Sequence, residues 1–492
     1  MDESVISTGV PGLDHILRGG LPRNRLYLVS GDPGVGKTTL ALQFLLDGRR
    51  AGEAVLYITL SESREEIEAV ARSHGWSLEG VVVFELATLP RAPEGENYVF
   101  HPDEVELTEV MGTLLREVER VKPQRVVFDS LSELRLLSQS PLRYRHQILM
   151  LKQFFAGRNS TCILIDDKTS GKEDLQLESI CHGVLDLELR SPAYGAARRR
   201  LQVAKLRGAD FRSGWHDFSV RRGGMVAFPR LLALEHTAPF EQALLKTGVP
   251  ELDDLLGGGV HRGRSVILAG AAGLGKSTLA TQFLVHASTP QARGRYFMFD
   301  ERPETLLMRA KMLSIDLEGS LARGTVSLRQ IDPSELTHGE FGNLVVTAVE
   351  KEDVRLVVID SVNGYLSAMS DEKEIILHLH ETLTYLGQRG VTTLLILGQQ
   401  GIVGTDVRMP IDVSYLSDTI ILLRFFESGG AIRKAISVVK QRTGNPETTI
   451  REFSLDNRGF RLGAPLSEFQ GILTGTPHFT GTPQKLIPRP PT

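Results

Sequence analysis

Short apolar runs alternate with longer amphipathic segments along this chain, and the alternation occurs twice. In the first half, strand-like runs lie at 54–59, 125–128 and 161–165, with helical patterns at 104–121 and 142–157. The second half repeats the strand-like runs at 295–299, 355–359 and 392–397. Because strands that alternate with helices usually pair in parallel, the pattern predicts an α/β fold in which a mainly parallel sheet is flanked by helices.

A seven-residue sequence opens each half of the pattern. It reads Thr8-Gly-Val-Pro-Gly-Leu-Asp14 in the first half and Thr247-Gly-Val-Pro-Glu-Leu-Asp253 in the second, 239 residues later (247 − 8). A repeat of this length indicates a duplicated domain rather than a short-period solenoid. We therefore predict one domain over 1–235 and a second over 236–474, with the boundary between residues 228 and 242. Residues 475–492 are rich in proline and poor in apolar side chains, which predicts a disordered tail.

Each half also contains a glycine-rich loop of the G-x4-G-K-[ST] type, between an apolar strand and a helical pattern. The predicted nucleotide-binding residues are Gly31, Asp32, Pro33, Gly34, Val35, Gly36, Lys37, Thr38 and Thr39, and Gly270, Ala271, Ala272, Gly273, Leu274, Gly275, Lys276, Ser277 and Thr278. Glycines let backbone N–H groups turn towards a phosphate, and the helix that follows adds its positive end. The loops predict two tandem P-loop NTPase domains, each binding ATP through its lysine.

Magnesium is the metal expected beside these loops. The hydroxyls of Thr38 and Ser277 suit a Mg²⁺ ion shared with the phosphates. Asp129 and Asp360 each end an apolar strand, in Val-Val-Phe-Asp-Ser and Val-Val-Ile-Asp-Ser, and are the predicted second contacts. An aspartate at a strand end is also a common turn or helix cap, and the sequence leaves open whether the metal contact is direct or through water.

Hydrolysis of ATP further requires a group that orients and deprotonates water. Glu62 and Glu301 follow the strands near 56–60 and 295–299, and the carboxyl ends of parallel strands form the ligand crevice of such sheets. The alternative is that both are acids at a helix N-terminus, where the helix dipole favours them.

Two pairs of cations recur near the ends of the domains. Lys205 with Arg207, and Lys440 with Arg442, occupy alternate positions of a strand and so share one side of it. Paired cations can neutralise phosphate charge, although they also serve as charged strand edges that discourage aggregation.

Composition narrows the possible partners. The chain has 56 basic and 60 acidic residues, a formal net charge of -4, which gives no overall attraction to nucleic acid. Its two cysteines, Cys162 and Cys181, lie in apolar surroundings and are expected to be buried thiols rather than a redox pair. The sequence shows neither a signal peptide nor an apolar run long enough to span a membrane, so we expect a cytoplasmic protein without membrane association.

Taken together, these residues resemble the KaiC family of RecA-like ATPases. The similarity rests on both opening sequences, both phosphate loops, both Val-Val-x-Asp-Ser strands, the Lys205 to Arg207 segment and 417–423. The resemblance implies two RecA-like domains and a homohexamer that holds ATP at subunit interfaces. It also implies that Lys205, Arg207, Lys440 and Arg442 contact the neighbouring subunit's ATP, as arginine fingers do.

The resemblance further implies serine autokinase activity in the second domain. The positions that match the family's phosphoacceptors are Ser414 and Tyr415, with Ser417 as a further acceptor; the tyrosine departs from the family's Ser-Thr pair. Ile180 and Cys181 occupy the corresponding place in the first domain, where no phosphorylation is expected.

Three functions agree with this sequence. The first is a hexameric ATPase with serine autokinase activity that acts in signalling or timing, together with protein regulators. The second is a RecA-like nucleic-acid-dependent ATPase, for which the loop 398–408 offers one arginine and no aromatic residue. The third is a nucleotide-gated scaffold with little turnover.

Overall fold

The computed structural model describes residues 4–86, 102–138, 140–168, 175–191, 195–367, 372–399, 414–428, 430–473 and 477–480. The chain divides into two compact units, Met1–Arg230 and Leu231–Thr492. Residues 231–235 belong to the second unit because Leu231 and Ala233 are buried in its core.

The first unit contains the following strands and helices. Its strands are β1 (Val5–Ile6), β2 (Leu21–Pro22), β3 (Leu26–Gly31), β4 (Val55–Thr59), β5 (Val82–Glu85), β6 (Arg125–Asp129), β7 (Thr161–Asp167), β8 (Gly183–Arg190), β9 (Arg198–Leu206), β10 (His216–Arg221) and β11 (Gly224–Phe228). Its helices are α1 (Leu13–Ile16), α2 (Lys37–Arg50), α3 (Arg64–Ser73), α4 (Pro102–Val121), α5 (Leu131–Ser138), α6 (Pro141–Phe155) and α7 (Leu175–Ile180).

The second unit repeats most of this order of elements. Its strands are β12 (Leu244–Leu245), β13 (Val260–His261), β14 (Ser265–Gly270), β15 (Arg293–Met298), β16 (Val326–Gln330), β17 (Val354–Asp360), β18 (Thr392–Gly398), β19 (Thr419–Ser428), β20 (Ala431–Gln441), β21 (Arg451–Asp456), β22 (Gly459–Pro465), β23 (Phe469–Gln470) and β24 (His478–Phe479). Its helices are α8 (Pro250–Leu255), α9 (Lys276–Ala287), α10 (Pro303–Met312), α11 (Leu317–Ala322), α12 (His338–Lys351), α13 (Val362–Ser367) and α14 (Glu372–Gln388). Short 3-10 turns lie at Ala233–His236 and Ser414–Leu416.

Each unit is built on one nine-stranded sheet. The strand order is β11-β10-β9-β8-β3-β7-β6-β4-β5 in the first unit and β16-β15-β17-β18-β14-β19-β20-β21-β22 in the second. In the first unit, strands β5, β4, β6, β7, β3 and β8 are parallel to one another, and β9, β10 and β11 extend the sheet in antiparallel pairing. The second sheet has the same division, which confirms the predicted tandem RecA-like α/β fold.

The strand that precedes each phosphate loop is buried on both faces. In β3, Tyr27 and Val29 pack into one hydrophobic core, whereas Leu26 and Leu28 pack into the core on the other face. Successive side chains of a strand point to opposite faces of the sheet, so a continuous apolar run is what a central strand covered by helices requires. Cys162 and Cys181 are free and buried, as predicted.

The end of the chain differs from the prediction of a disordered tail over its first described residues. His478–Phe479 forms an antiparallel pair with Phe469–Gln470, and the rings of Phe469 and Phe479 lie 5.1 Å apart. This aromatic contact stabilises a short strand pair, which the high proline content of the segment did not predict. The rest of the predicted tail, 475–476 and 481–492, lies outside the described residues. None of the described helices has the length and apolar character that crossing a membrane requires.

Candidate nucleotide-binding sites

Each phosphate loop lies between a central strand and the helix that follows it. In the first unit the loop connects β3 to α2, and in the second it connects β14 to α9. Gly36 and Gly275 precede these helices with φ angles of 118° and 92°. This left-handed backbone is readily accessible to glycine, which explains why the motif places glycine directly before its lysine.

Both loop lysines are buried and folded back on their own loop. Nζ of Lys37 donates to the backbone oxygens of Gly31 and Asp32, both at 2.8 Å. Nζ of Lys276 makes the equivalent bonds to Gly270 and Ala271, both at 2.7 Å. Burial lowers the pKa of Lys276. An ammonium group held beside the loop is correctly placed to meet a phosphate there.

The predicted metal contacts come together in the first unit. Oγ1 of Thr38 donates to Oδ2 of Asp129 at 2.9 Å, and the hydroxyl of Tyr57 donates to the same oxygen at 2.5 Å. Burial raises the pKa of the Asp129 carboxyl, although hydrogen bonds from Tyr57 and Thr38 and the charge of Lys37 oppose the shift. These contacts offset the cost of burying the carboxylate only in part, and a bound cation could offset more of it.

The second unit has the same arrangement. The hydroxyl of Tyr296 donates to Oδ2 of Asp360 at 2.6 Å. Burial raises the pKa of Asp360, against hydrogen bonds from Ser277 and Tyr296. Hard oxygen donors of this kind fit Mg²⁺, which commonly binds one or two protein ligands together with substrate phosphates. Among the described residues, no group of three or more His, Cys, Asp or Glu forms a metal site without such phosphates.

Sequence reasoning missed the two tyrosines. Tyr57 and Tyr296 lie inside the apolar strands β4 and β15, where a tyrosine is typical of a core, and both are fully buried. The repeat contained the signal, since the two residues are 239 positions apart (296 − 57), like the opening sequences.

Glu62 and Glu301 follow the strands that carry these tyrosines. Oε2 of Glu62 is buried without a hydrogen-bond partner among the described residues. The pKa of Glu62 is raised by burial and then by the charges of Asp129, Glu66 and Asp167. Glu301 instead forms a bidentate ion pair with Arg309, with N–O distances of 3.0 and 2.6 Å.

A second difference concerns the loop lysines. Nζ of Lys37 lies 2.7 Å from Oδ1 of Asp167, at the end of β7. In the sheet registers Asp167 is opposite Gly31, and Gly398 is opposite Gly270. Gly398 is therefore the counterpart of Asp167 and has no side chain that could contact Lys276. Neither Asp167 nor Arg309 belongs to a motif, so sequence reasoning did not select them.

The predicted cation pairs lie at the opposite end of each sheet from the phosphate loop. The backbone N–H of Arg207 bonds to the oxygen of His182, whose own N–H bonds to Leu26 at the start of β3. Nζ of Lys205 donates to the oxygen of Glu178, and Nη2 of Arg207 donates to that of Ser179. The Arg207 side chain is exposed.

The same geometry recurs in the second unit. The backbone N–H of Arg442 bonds to Asp418, whose own N–H bonds to Ser265 at the start of β14. Nζ of Lys440 donates to the oxygen of Ser417 at 2.8 Å, and Nη2 of Arg442 donates to that of Tyr415 at 2.7 Å.

Two of the candidate phosphoacceptors, Tyr415 and Ser417, contact Arg442 and Lys440 through their backbone oxygens. Tyr415 is 54% exposed, whereas Ser417 is fully buried at 0%. Ser414 opens the short turn Ser414–Leu416, and its side chain lies outside the described residues. A cleft of about 310 Å³ opens at this end of the sheet. Its lining includes Phe240, Arg264, His380, Tyr415, Asp418 and Arg442.

Comparison with known proteins gives a consistent result. A family model described as "ATPase: KaiC" matches residues 6–231 and 245–466. The circadian clock protein KaiC3 of Synechocystis sp. is 26% identical over 486 residues, which cover 96% of this chain and 95% of that protein. The circadian clock oscillator protein KaiC of Synechococcus elongatus is 26% identical over 480 residues, which cover 96% of this chain and 91% of that protein.

Proposed function

The chain belongs to the KaiC ATPase family, and from that premise we propose that it assembles into a homohexameric ring that binds and hydrolyses ATP between neighbouring subunits. The observation that carries this proposal is the position of Arg207 and Arg442. Each lies beside the start of the strand whose far end carries the phosphate loop of the same unit. A six-residue strand is about 17 Å long, so an arginine at its start is out of reach of the phosphates bound at its end.

In each site, the chain's own residues divide the work of hydrolysis. Lys37 and Lys276 bind the outer phosphates, and Thr38 with Asp129, and Ser277 with Asp360, would hold Mg²⁺. When bound, Mg²⁺ neutralises charge that develops on the phosphates. Glu62 and Glu301 orient the attacking water and accept its proton. The neighbouring subunit supplies Lys205 with Arg207, or Lys440 with Arg442, to the same phosphates.

Mixed rings test the assignment to the neighbouring subunit. Arg207→Ala chains retain the first phosphate loop, and Lys37→Ala chains retain the arginine. We expect each variant alone to lack first-unit hydrolysis, and we expect a mixture to recover part of it, measured as phosphate release. Native mass spectrometry verifies that the rings are mixed. Verified mixed rings without recovery would show that Arg207 does not act on a neighbour's ATP.

A second proposed activity is autophosphorylation near Arg442 of the second unit. Exposed Tyr415 contacts Arg442 through its backbone oxygen, on the face where the neighbour's ATP would lie. Burial of the Ser417 side chain disfavours it as an acceptor, which leaves Ser414 and Tyr415. A phosphate there would add about -1.5 to -2 charges beside an arginine and could bias ring packing.

Phosphosite mapping tests the kinase. We expect that incubation with ATP yields phosphate on Ser414 or Tyr415, and that Ser414→Ala, Tyr415→Phe and Lys276→Ala identify the acceptor and the ATP source. If no phosphate appears on Ser414, Tyr415 or Ser417, the kinase proposal fails and the ATPase remains.

The wider role that we propose is signalling or timing in the cytoplasm, together with protein regulators. The support is that the relatives named above are circadian clock proteins. A nucleic-acid motor would instead bind single strands in a salt-dependent way. Most of its candidate loop, 400–408, lies outside the described residues. A nucleotide-gated scaffold would bind ATP without measurable turnover, which a phosphate-release assay detects.

A further inference from the structure

The two helices that follow the candidate bases differ at most positions, and one of these differences affects a candidate base directly. Helices α3 and α10 both have ten residues and begin 239 positions apart (303 − 64). At the same spacing, Arg309 in α10 corresponds to Val70 in α3 (309 − 70). Val70 packs against the hydrophobic core of the first unit, whereas Arg309 points back to the residue that precedes its own helix by two positions, Glu301.

The contact between Arg309 and Glu301 engages the whole carboxylate. Nη1 of Arg309 lies 3.0 Å from Oε1 of Glu301, and Nη2 lies 2.6 Å from Oε2. Both side chains are partly buried, at 34% and 25% exposed. Paired N–H donors of this kind form the strongest class of protein hydrogen bond and also fix the orientation of the carboxylate. A carboxylate held in this way is less able to turn towards a water molecule than a carboxylate without a cation partner.

Glu62 lies in a different environment. Its Oε2 has no hydrogen-bond partner among the described residues, and the charged neighbours that act on it most are the carboxylates of Asp129, Glu66 and Asp167. Negative neighbours make proton uptake more favourable. The first unit therefore presents a carboxylate with one oxygen unpartnered among the described residues, where the second presents a carboxylate paired with a guanidinium.

We propose that Arg309 is a positioning residue that withholds Glu301 from the attacking water, so that the second unit hydrolyses ATP more slowly than the first and retains it longer. This inference rests on the proposed role of Glu62 and Glu301 as bases. In hydrolysis, the water oxygen bonds to the γ-phosphorus while the bond from that phosphorus to the β–γ bridging oxygen breaks. The electron pair of that bond leaves with ADP, and the water proton passes to the glutamate.

Retention has a consequence for the second activity proposed above. A site that loses ATP slowly to water keeps the γ-phosphate for transfer to a side chain at the subunit boundary. The restraint on Glu301 would thus favour transfer over hydrolysis in the second unit, while the first unit turns over freely.

The experiment isolates the second unit in the full-length chain. Glu62→Gln silences first-unit hydrolysis, and Arg309→Val is then added to give the second unit the first unit's residue. We expect kcat to rise about tenfold with KM unchanged, a fraction of the 10²–10⁴ that a positioned base contributes. The ATP share of the nucleotide that copurifies with the protein, measured by chromatography, should fall. In Arg309→Lys, which keeps a charged donor at this position, kcat should rise less.

The reciprocal exchange and a matched control complete the design. Val70→Arg, made with Glu301→Gln, should lower first-unit kcat about tenfold, and Val70→Met controls for side-chain size. Lys311→Val removes a positive charge from the exposed face of the same helix α10 and should leave kcat unchanged. Thermal melting of each variant reports whether it remains folded.

Three outcomes are decisive. A gain with Arg309→Val that Glu301→Gln abolishes supports the proposal. The second outcome is a folded Arg309→Val variant whose kcat and ATP share match those of its parent, together with a loss of hydrolysis in the variant that carries both Glu62→Gln and Glu301→Gln. This outcome overturns the restraint by Arg309 but leaves the glutamates as bases. Wild-type hydrolysis in that double glutamine variant overturns the assignment of the bases, and the restraint with it.

Discussion

The two nucleotide sites share their strands, loop lysines, hydroxyls, aspartates and buried tyrosines, yet the residues around the lysine and the glutamate differ. In the first site Lys37 contacts Asp167, and Glu62 has a carboxylate oxygen without a partner among the described residues. In the second site Gly398 takes the place of Asp167, and Arg309 pairs with Glu301. Duplication has thus preserved the phosphate-binding geometry, while Asp167 and Arg309 are two of the residues that make the electrostatics of the sites differ.

Removing a loop lysine, which both sites share, should have the largest effect. Lys37→Ala or Lys276→Ala deletes the cation that reaches the outer phosphates, so each variant should bind one nucleotide per chain where the parent binds two. Equilibrium binding with labelled ATP measures the stoichiometry, and exposed Lys311→Ala is the control. Two nucleotides in either loop variant would contradict the assignment of that loop.

Substitution of the two glutamates should have the next largest effect, and the loss of turnover should differ between the two sites. Glu62→Gln keeps the shape of the side chain but removes the base, so we expect first-unit turnover to fall about 10²- to 10⁴-fold with ATP still bound. Glu301→Gln should reduce total turnover much less, because Arg309 already restrains that base. Phosphate release and nucleotide binding, measured on the same preparations, test both statements. Equal losses in the two variants would mean that the sites do not differ.

The carboxylate beside Lys37 should set a smaller difference in affinity. ATP must displace Asp167 from Lys37, and its phosphates also meet that negative charge, so Asp167→Asn should tighten first-unit binding severalfold; tenfold would be about 1.4 kcal/mol. The experiment uses the Lys276→Ala background and titrates labelled ATP. In the reciprocal Lys37→Ala background, Gly398→Asp should weaken second-unit binding, and Gly398→Asn is the neutral control. Unchanged affinity in Asp167→Asn would contradict the prediction.

The smallest expected effect is on pH dependence. Burial and the charges of Asp129, Glu66 and Asp167 raise the pKa of Glu62. A base must be deprotonated to act, so first-unit kcat should fall as the pH decreases through a midpoint above the ordinary glutamate value of about 4.3. Val70→Arg should move that midpoint to lower pH, by about one unit or less. A kcat–pH profile in the Glu301→Gln background measures it, and an unmoved midpoint would show that the new arginine does not reach Glu62.

The repeat and the loop motif made much of the fold predictable. Apolar runs buried on both faces indicated central parallel strands, and the strands observed at Val55–Thr59, Arg125–Asp129 and Thr392–Gly398 lie where those runs predicted them. A strand near Lys205 was predicted, but the antiparallel pairing of β9 to β11 was not, because half-buried strands lack such runs. The pairing of His478 and Phe479 was missed for a similar reason, since it depends on one aromatic contact.

By itself the sequence determined that the chain has two α/β units with two phosphate loops, because glycine, lysine and hydroxyl residues act there through local backbone geometry and fixed spacing. Only the tertiary structure decided which residues surround each site. Asp167 reaches Lys37 because β7 lies beside β3, although 130 residues separate the two side chains (167 − 37). Arg309 meets Glu301 because Glu301 lies just before α10 and the helix brings the Arg309 side chain back to it. Such contacts depend on how strands and helices pack, which spacing along the chain does not encode.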